Sequence, residues 1–381
     1  MNSDEIAETI SWRHHLHRTP ELAFEEQETS AFVARMLDMF GLKVTTGLAG
    51  TGVVGTLSRG TSGRSIGIRA DMDALPIEEL GQVPYKSLRP GKMHACGHDG
   101  HVAMLLAAAR TCAQSGRFDG TVHFIFQPAE ENEGGARRMV EDGLFTKFPC
   151  DAVYALHNWP GMPVGSCVAR DGAMMAAFGT FEIVIEGAGA HGAMPHEGVD
   201  PIVAACALGT SLQTIVSRNV SPLEPAVLSI TQIHAGEAWN VIPPSCVIRG
   251  TTRWFDDAVG DRIESRLTDV ANSVVNGFGC KATIRYERRY PATINDAAEA
   301  AFIRSVVGTQ TNIRIENAPP SMAAEDFAFM MEARPGCYLW LGSARDGANP
   351  GLHSPYFDFN DEIIPHGADL WRRVVETRLS S

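Results

Sequence analysis

Nine consecutive residues, Met93-His94-Ala95-Cys96-Gly97-His98-Asp99-Gly100-His101, hold three of the chain's thirteen histidines beside a cysteine and an aspartate. Thiolate, imidazole and carboxylate are the side chains that bind divalent cations, and a Cys and a His two apart reach one ion from a single turn. The Ala/Leu-rich stretch 102–111 that follows reads as a helix, so the cluster sits at a loop-to-helix junction with Asp99 opening the helix. The other reading is a loop with a reactive thiol and solvated histidines. A second cluster, Gln127-Pro128-Ala129-Glu130-Glu131-Asn132-Glu133, directly follows the apolar strand 121–126. Acids beyond the carboxyl end of a strand are where α/β sheets build sites. Adjacent Glu130 and Glu131 point to different sides of an extended chain, so one can bind metal while the other faces a reacting water. A solvated acidic turn is the alternative.

Single candidates repeat this placement. His157 follows the apolar run 153–156, and Asp71 and Asp73 follow 66–68 in Arg69-Ala70-Asp71-Met72-Asp73-Ala74-Leu75-Pro76. His353 lies in Gly351-Leu352-His353-Ser354-Pro355. A lone histidine is more often a satisfied hydrogen-bonding group than a ligand. Five segments that each set a metal-competent residue at the end of an apolar run are explained together by one shared site.

The elements that must position these residues are short apolar strands (52–57, 65–69, 121–126, 152–156) between helical stretches (5–17, 26–40, 102–111). That alternation predicts an α/β catalytic domain with a mixed, partly parallel sheet. From about residue 178 the texture changes. Thr180-Phe181-Glu182-Ile183-Val184-Ile185-Glu186 alternates apolar and polar, as a half-exposed antiparallel strand does. Helix 201–217, strands 226–233 and 247–255, helix 258–276 and strand 281–288 complete a β-α-β-β-α-β order, the ferredoxin-like α+β pattern. We therefore expect an inserted domain at 178–290, with the catalytic domain split into 1–177 and 291–381. Met174 to Phe178, at the junction, reads as core, hinge or acyl-pocket wall.

Composition narrows the function classes. At 381 residues, and roughly 150 per domain, the chain suits two domains. With 44% hydrophobic residues it can bury a core, which excludes a disordered chain. Asp+Glu 45 against Lys+Arg 32 leaves a formal charge of −13, which repels nucleic acid and anionic lipid. No apolar run approaches the roughly 18 residues that span a bilayer. The acidic start, Met1-Asn2-Ser3-Asp4-Glu5, lacks a signal segment. Eight cysteines in so long a chain argue against a disulfide framework. We expect a cytoplasmic protein whose cysteines, Cys96 apart, are mostly small buried hydrophobes.

Motifs along nearly the whole chain resemble the M20 metallopeptidases, in the branch of hippurate hydrolases, N-acyl-amino-acid amidohydrolases and auxin-conjugate hydrolases. They are Leu16 to Glu26, Arg69 to Pro76, Met93 to His101, Gln127 to Glu131, Leu156-His157-Asn158, Gly189-Ala190-His191-Gly192, Asn240-Val241-Ile242-Pro243 and Ala324-Glu325-Asp326-Phe327. The resemblance implies a zinc-exopeptidase-like catalytic domain and an inserted lid and dimerisation domain. It implies two divalent metal ions held by Cys96, His98, Glu131, His157 and His353, with Cys96 bridging. Glu130 matches the general base and Asp73 the acid that orients the site. Asp71 stands where more distant members place a metal-binding histidine, so the ligation of those members does not transfer. His191 matches a residue that reaches the partner subunit's site, Asn240 acts alongside it, and Arg253 matches an arginine that holds the substrate's α-carboxylate.

The implied chemistry is hydrolysis of an N-acyl or N-aroyl amino acid to a carboxylic acid and a free amino acid. The metals lower the pKa of a water from about 15.7 toward about 7, and Glu130 moves its proton to the leaving amine. His191 is the candidate oxyanion donor, a contribution typically of about 3 kcal/mol. The implied partners are this small substrate and a second copy of the chain, a homodimer through the inserted domain. Alternatives are a dipeptidase or exopeptidase of the same family, a cysteine hydrolase using Cys96 and His98, and a silent binding module. Zinc, manganese, cobalt and nickel all remain open as the metal.

Overall fold

Eight strands form one mixed sheet, in the order Lys43–Leu48, Gly52–Arg59, Gly120–Gln127, Ser65–Asp71, Ala152–Trp159, Gly336–Gly342, Ser166–Val168 and Arg314–Ile315. The computed structural model describes residues 1–380, the side chain of Gln310 excepted. The four strands from Gly120–Gln127 to Gly336–Gly342 run parallel. They are buried along almost their full length, which is why they read as near-continuous apolar runs. Parallel pairing sends their carboxyl ends to one edge. Asp71 pairs with Gln127 and Arg69 with Ala155, so His157 lies level with Asp71.

Three local readings change. Lys43–Leu48 is an additional edge strand whose polar, largely exposed residues carry no apolar signal. His157 lies inside the Ala152–Trp159 strand rather than after it. The site helix runs His98–Ser115, so His98 belongs to its first turn, and its N-cap is Gly97 rather than Asp99.

Asp99 has another task. Its carboxylate accepts from His17 Nδ1 at 2.8 Å and meets the buried Arg13 at 3.4 Å. Arg13 also pairs with Asp361 at 2.8 Å and Asp358 at 3.5 Å. The pairs tie the Ser3–Arg18 helix to the first turn of the site helix. Burial alone pulls the His17 pKa down, but the charge and hydrogen bond of Asp99, with Glu79, outweigh it and raise it to about 9. Burial likewise opposes ionisation of Asp99, yet His17 holds that carboxyl well below its usual range.

The chain divides into two units, Met1–Met174 with Thr293–Pro319 and Asp326–Ser381, and Met175–Ala292 with Pro320–Glu325. The second starts earlier than 178 and takes in Pro320–Glu325, because the Ala176 amide donates to the carbonyls of Ser321 and Ala323 at 3.1 and 2.9 Å. Its sheet has the order Ala226–His234, Ser245–Trp254, Ala177–Glu186 and Lys281–Tyr290, all neighbours antiparallel. Helices Pro201–Thr214 and Asp257–Gly277 supply Leu208, Leu212, Ile263 and Leu267 to a core with Phe181, Ile183, Ile185 and Ile248. This is the ferredoxin-like order. Residues 174–178 are all buried. All eight cysteines are free, and only Cys206 is exposed. Among the described residues no helix is long and apolar enough to cross a membrane.

His17 makes the fold pH-dependent. Its folded pKa of about 9 lies above the ordinary 6.5, so its stabilisation is complete below 6.5 and is lost as pH rises through 9. The full shift corresponds to about 3 kcal/mol. Thermal midpoints are expected to fall between pH 6.5 and 9.5, and His17→Gln to remove most of that slope. An unchanged slope in the variant refutes the assignment.

Candidate active site

Six chain segments converge at the carboxyl edge of the parallel strands. Cys96 Sγ lies 3.3 Å from His157 Nε2, and His353 Nε2 lies 3.1 Å from Glu131 Oε1. Ligand atoms of Cys96, His98 and His157 lie within 4.8 Å of one another, and so do those of Cys96, Glu131 and His353. Cys96 is common to both sets. Glu130 joins Glu131 and His98 in a third set of the same spread. Cys96, His98, His157 and Glu130 are buried, whereas the His353 side chain is 53% exposed and marks the open side.

Hydrogen bonds aim these donors. His157 Nδ1 donates to the Asn158 carbonyl at 2.7 Å, and His98 Nδ1 donates to the Asp73 carbonyl at 2.9 Å. Each ring therefore turns an Nε2 lone pair inward, and that of His98 has no hydrogen-bond partner. The Asp73 carboxylate accepts the backbone N–H groups of Glu130 at 3.0 Å and Glu131 at 2.9 Å, one on each oxygen. Gly97 separates Cys96 from His98 at φ 90°, and a Cβ there would stand 2.5 Å from Asn158 Nδ2. Only glycine gives that turn its spacing.

The electrostatics fit a cation and disfavour a cysteine nucleophile. Burial first, then the charges of Glu131, Glu130 and Asp71, push the Cys96 thiol well above its usual range. A nucleophilic cysteine needs the opposite shift. Burial and the nearby His101 lower the His157 pKa, leaving a neutral imidazole. At His98 burial is outweighed by Asp71 and Asp73, and the pKa rises to about 10. This acid-rich pocket, with its soft and imidazole donors, suits a divalent ion that displaces the protons of Cys96 and His98.

Asp71, His98 and His101 also lie within 4.8 Å of one another, but both oxygens of Asp71 have partners within the protein. Arg69 pairs with Asp71 at 2.6 Å, and His101 Nδ1 donates to its other oxygen at 2.6 Å. His101 Nε2 then accepts the Asn158 backbone N–H at 3.0 Å, while Asn158 Nδ2 donates to the Cys96 carbonyl at 2.7 Å. Arg69 also reaches Gln127 at 2.7 Å and Asp326 at 3.0 Å, and Asp326 accepts from Gln127 and the Ala136 amide. Sequence reasoning assigned no task to Arg69, His101, Gln127, Asn158 or Asp326. His101 was signalled by its spacing of three from His98, which puts both on one helix face.

The remaining candidates lie in the second unit. Val241 pairs with His191, and the Gly192 amide donates to the Asn240 carbonyl at 2.8 Å, so His191 and Asn240 share one short ribbon. Arg253 is elsewhere. Ser245 pairs with Glu186, at the end of the sheet from which the ribbon emerges, whereas Arg253 pairs with Phe178. Eight residues of strand separate the two ends, about 26 Å at 3.3 Å each. The Arg253 guanidinium stacks 3.9 Å over the Phe178 ring, makes no ion pair among the described residues, and has its pKa lowered by burial alone.

Comparison with known proteins agrees with this architecture. Residues 67–377 match the model of peptidase family M20/M25/M40, and the chain belongs to that family. It is 40% identical to an N-acetyl-L-cysteine deacetylase of Bacillus subtilis, over 93% of this chain and 84% of the relative. It is 39% identical to a hippurate hydrolase of Campylobacter jejuni, over 95% and 94%. A solved Bacillus subtilis structure described as a dinuclear metal binding peptidase of the M20 family superposes with TM-score 0.86 at 32% identity, covering 99% of each chain.

Arg69→Leu leaves Asp71 and Asp326 without their shared cation in the core. Breaking one partner of a buried pair costs about 3–5 kcal/mol, so a clear drop in thermal midpoint is expected. A variant as stable as the parent would show that the network does not depend on the arginine.

Proposed function

We propose that this chain is a metal-dependent amidohydrolase that cleaves N-acyl or N-aroyl amino acids into a carboxylic acid and a free amino acid. The observation that carries the reading is the buried Cys96, common to two three-ligand sets with Glu130 beside them. Cys96, His98 and His157 would hold one divalent ion, and Cys96, Glu131 and His353 a second. Bound there, two such ions would polarise the scissile carbonyl and acidify a water.

The protein's own groups do the rest. Glu130 takes the water's proton and returns it to the leaving nitrogen. Asp73 fixes the backbone of Glu130 and Glu131 together. The Ala193 amide donates to His191 Nδ1 at 3.1 Å, which leaves the proton on Nε2. His191 is thereby a ready donor to a developing oxyanion. Arg253, half-buried and without an acidic partner, is suited to a bidentate grip on the substrate's α-carboxylate.

The sheet geometry bears on the assembly. An N-acyl amino acid is far shorter than the strand from Ser245, at the ribbon's end of the sheet, to Arg253, which argues against one copy's inserted domain applying both His191 and Arg253 to one molecule. A homodimer through that domain resolves this, with His191 and Asn240 acting on the partner's substrate. The inserted domain is then both lid and dimerisation element. Eight free cysteines suit a reducing, cytoplasmic setting.

Chelation followed by separate add-back of zinc, manganese, cobalt and nickel, assayed on acetyl, benzoyl and indole-acetyl amino acids, tests the reading and identifies metal and acyl group. Glu130→Gln should lose activity by about 10²-fold or more while the ions stay bound, as metal analysis reads. Activity that survives chelation but not thiol alkylation would return the cysteine mechanism.

Mixing His191→Ala with Glu130→Ala subunits tests the exchange. Each variant alone should lose most activity, and mixed dimers should regain part of the wild-type rate through the one site with both groups. No recovery in demonstrably mixed dimers refutes action across subunits.

A further inference from the structure

Three consecutive backbone amides, those of Ala129, Glu130 and Glu131, end on two buried carboxylates. Asp73 accepts the second and third. The first, Ala129 N–H, donates to Glu26 Oε1 at 2.9 Å, while Thr51 Oγ1 donates to Glu26 Oε2 at 2.7 Å. Glu26 is fully buried, and it comes from the start of the Gln27–Met39 helix, over a hundred residues away in the chain.

What this distant carboxylate holds is strained. Ala129 has φ 56°, in the left-handed region that costs an L-residue about 1–2 kcal/mol. The chain leaves its strand at Gln127, passes Pro128, which has no N–H, and reverses at Ala129 before presenting Glu130. Without Glu26 the buried Ala129 amide would lack an acceptor and the left-handed turn would lose its restraint.

We infer that Glu26 is a positioning residue for the general base, setting Glu130 through its hydrogen bond to the Ala129 amide. The inference rests on the reading of Glu130 given above. Burial, then the neighbouring charge of Asp73, pushes the Glu26 carboxyl up to about 7. Neither bond requires the charged form, since a protonated Glu26 donates to Thr51 Oγ1 and still accepts from Ala129. Glutamine reproduces that state, whereas methionine fills the space with no acceptor.

The test compares Glu26→Gln and Glu26→Met in the metal-loaded full chain, on an N-acetyl or N-benzoyl amino acid that the parent hydrolyses. Glu26→Met should lower kcat about 10- to 100-fold, the scale for a displaced catalytic group, with KM changed by less than about threefold. Glu26→Gln should recover most of that loss. Adding Ala129→Gly to the methionine variant should restore part of kcat, because glycine adopts the turn without strain. Hydrogen exchange of the 129–131 amides, read without substrate, should quicken in the methionine variant and not in the glutamine one. The inference is overturned if Glu26→Met keeps the parental kcat, if glutamine falls as far as methionine, or if those amides exchange at the parental rate. Should Glu26→Met not fold, Thr51→Val decides: a several-fold loss of kcat at unchanged KM supports the restraint, and unchanged kcat refutes it. A parent that hydrolyses no N-acyl amino acid overturns the activity instead, and the exchange rates still report whether Glu26 holds the turn.

Discussion

A carboxylate buried in protein must be given a positive charge or a set of N–H donors, and this site is organised by how that demand is met. Asp99 is answered by His17 and Arg13, and Asp71 and Asp326 share Arg69. Asp73 is answered by two backbone amides. These acids already have partners within the protein. Cys96, Glu131, His98 and His157 have no arginine or lysine among them, so the counter-charge they invite comes from outside the chain. Moving positive charge into such a pocket also relieves the repulsion from Glu131, Glu130 and Asp71 that adds to burial in raising the Cys96 thiol, which couples metal affinity to proton release.

Much of the site was legible because its donors fall at strand ends, and strand ends are visible as the limits of apolar runs. Cys96, His98, Glu130, Glu131, His157 and His353 could be proposed from that pattern, and family motifs added His191, Asn240 and Arg253. The supporting residues had no comparable signal. Arg13 and His17 lie on a helix that sequence reads as an ordinary amphipathic one, and nothing local says that both are buried against Asp99. Glu26 looks like one more acid at the start of a helix. Partnership across a hundred residues is a property of topology, not of spacing. His157 was misplaced for a different reason. An apolar run ends at Leu156, but the strand continues through His157, Asn158 and Trp159, because ladder hydrogen bonds do not require apolar side chains.

The second unit illustrates the reverse case, where a local pattern was clear and its consequence was not. Alternation along 180–186 correctly separates the helix-covered face, Phe181, Ile183 and Ile185, from the open one. Only the strand register shows that the His191 ribbon and Arg253 belong to opposite ends of this sheet. Two residues that the family resemblance implies for one substrate thus belong to opposite ends of one sheet. Strand length and substrate size are what favour the proposed cooperation between copies, before any interface is considered.

Backbone strain marks the same edge of the sheet. Gly97 at φ 90°, Ala129 at 56° and His353 at 64° stand within one or two residues of, or at, proposed ligands or the base. A left-handed glycine costs little, but the two residues with side chains must be held there by something else. Each has a hydrogen bond from its own amide: Ala129 to Glu26, and His353 to the Ala95 carbonyl at 2.8 Å. The latter acceptor lies one residue before Cys96, so the bond that restrains His353 also joins the loops of two proposed ligands. Strain and restraint occur in pairs here, so the fold itself holds the backbone beside Glu130 and at His353. A site preorganised in this way does not draw on binding energy to gather its donors, and more of that energy is left to distinguish the transition state from the substrate.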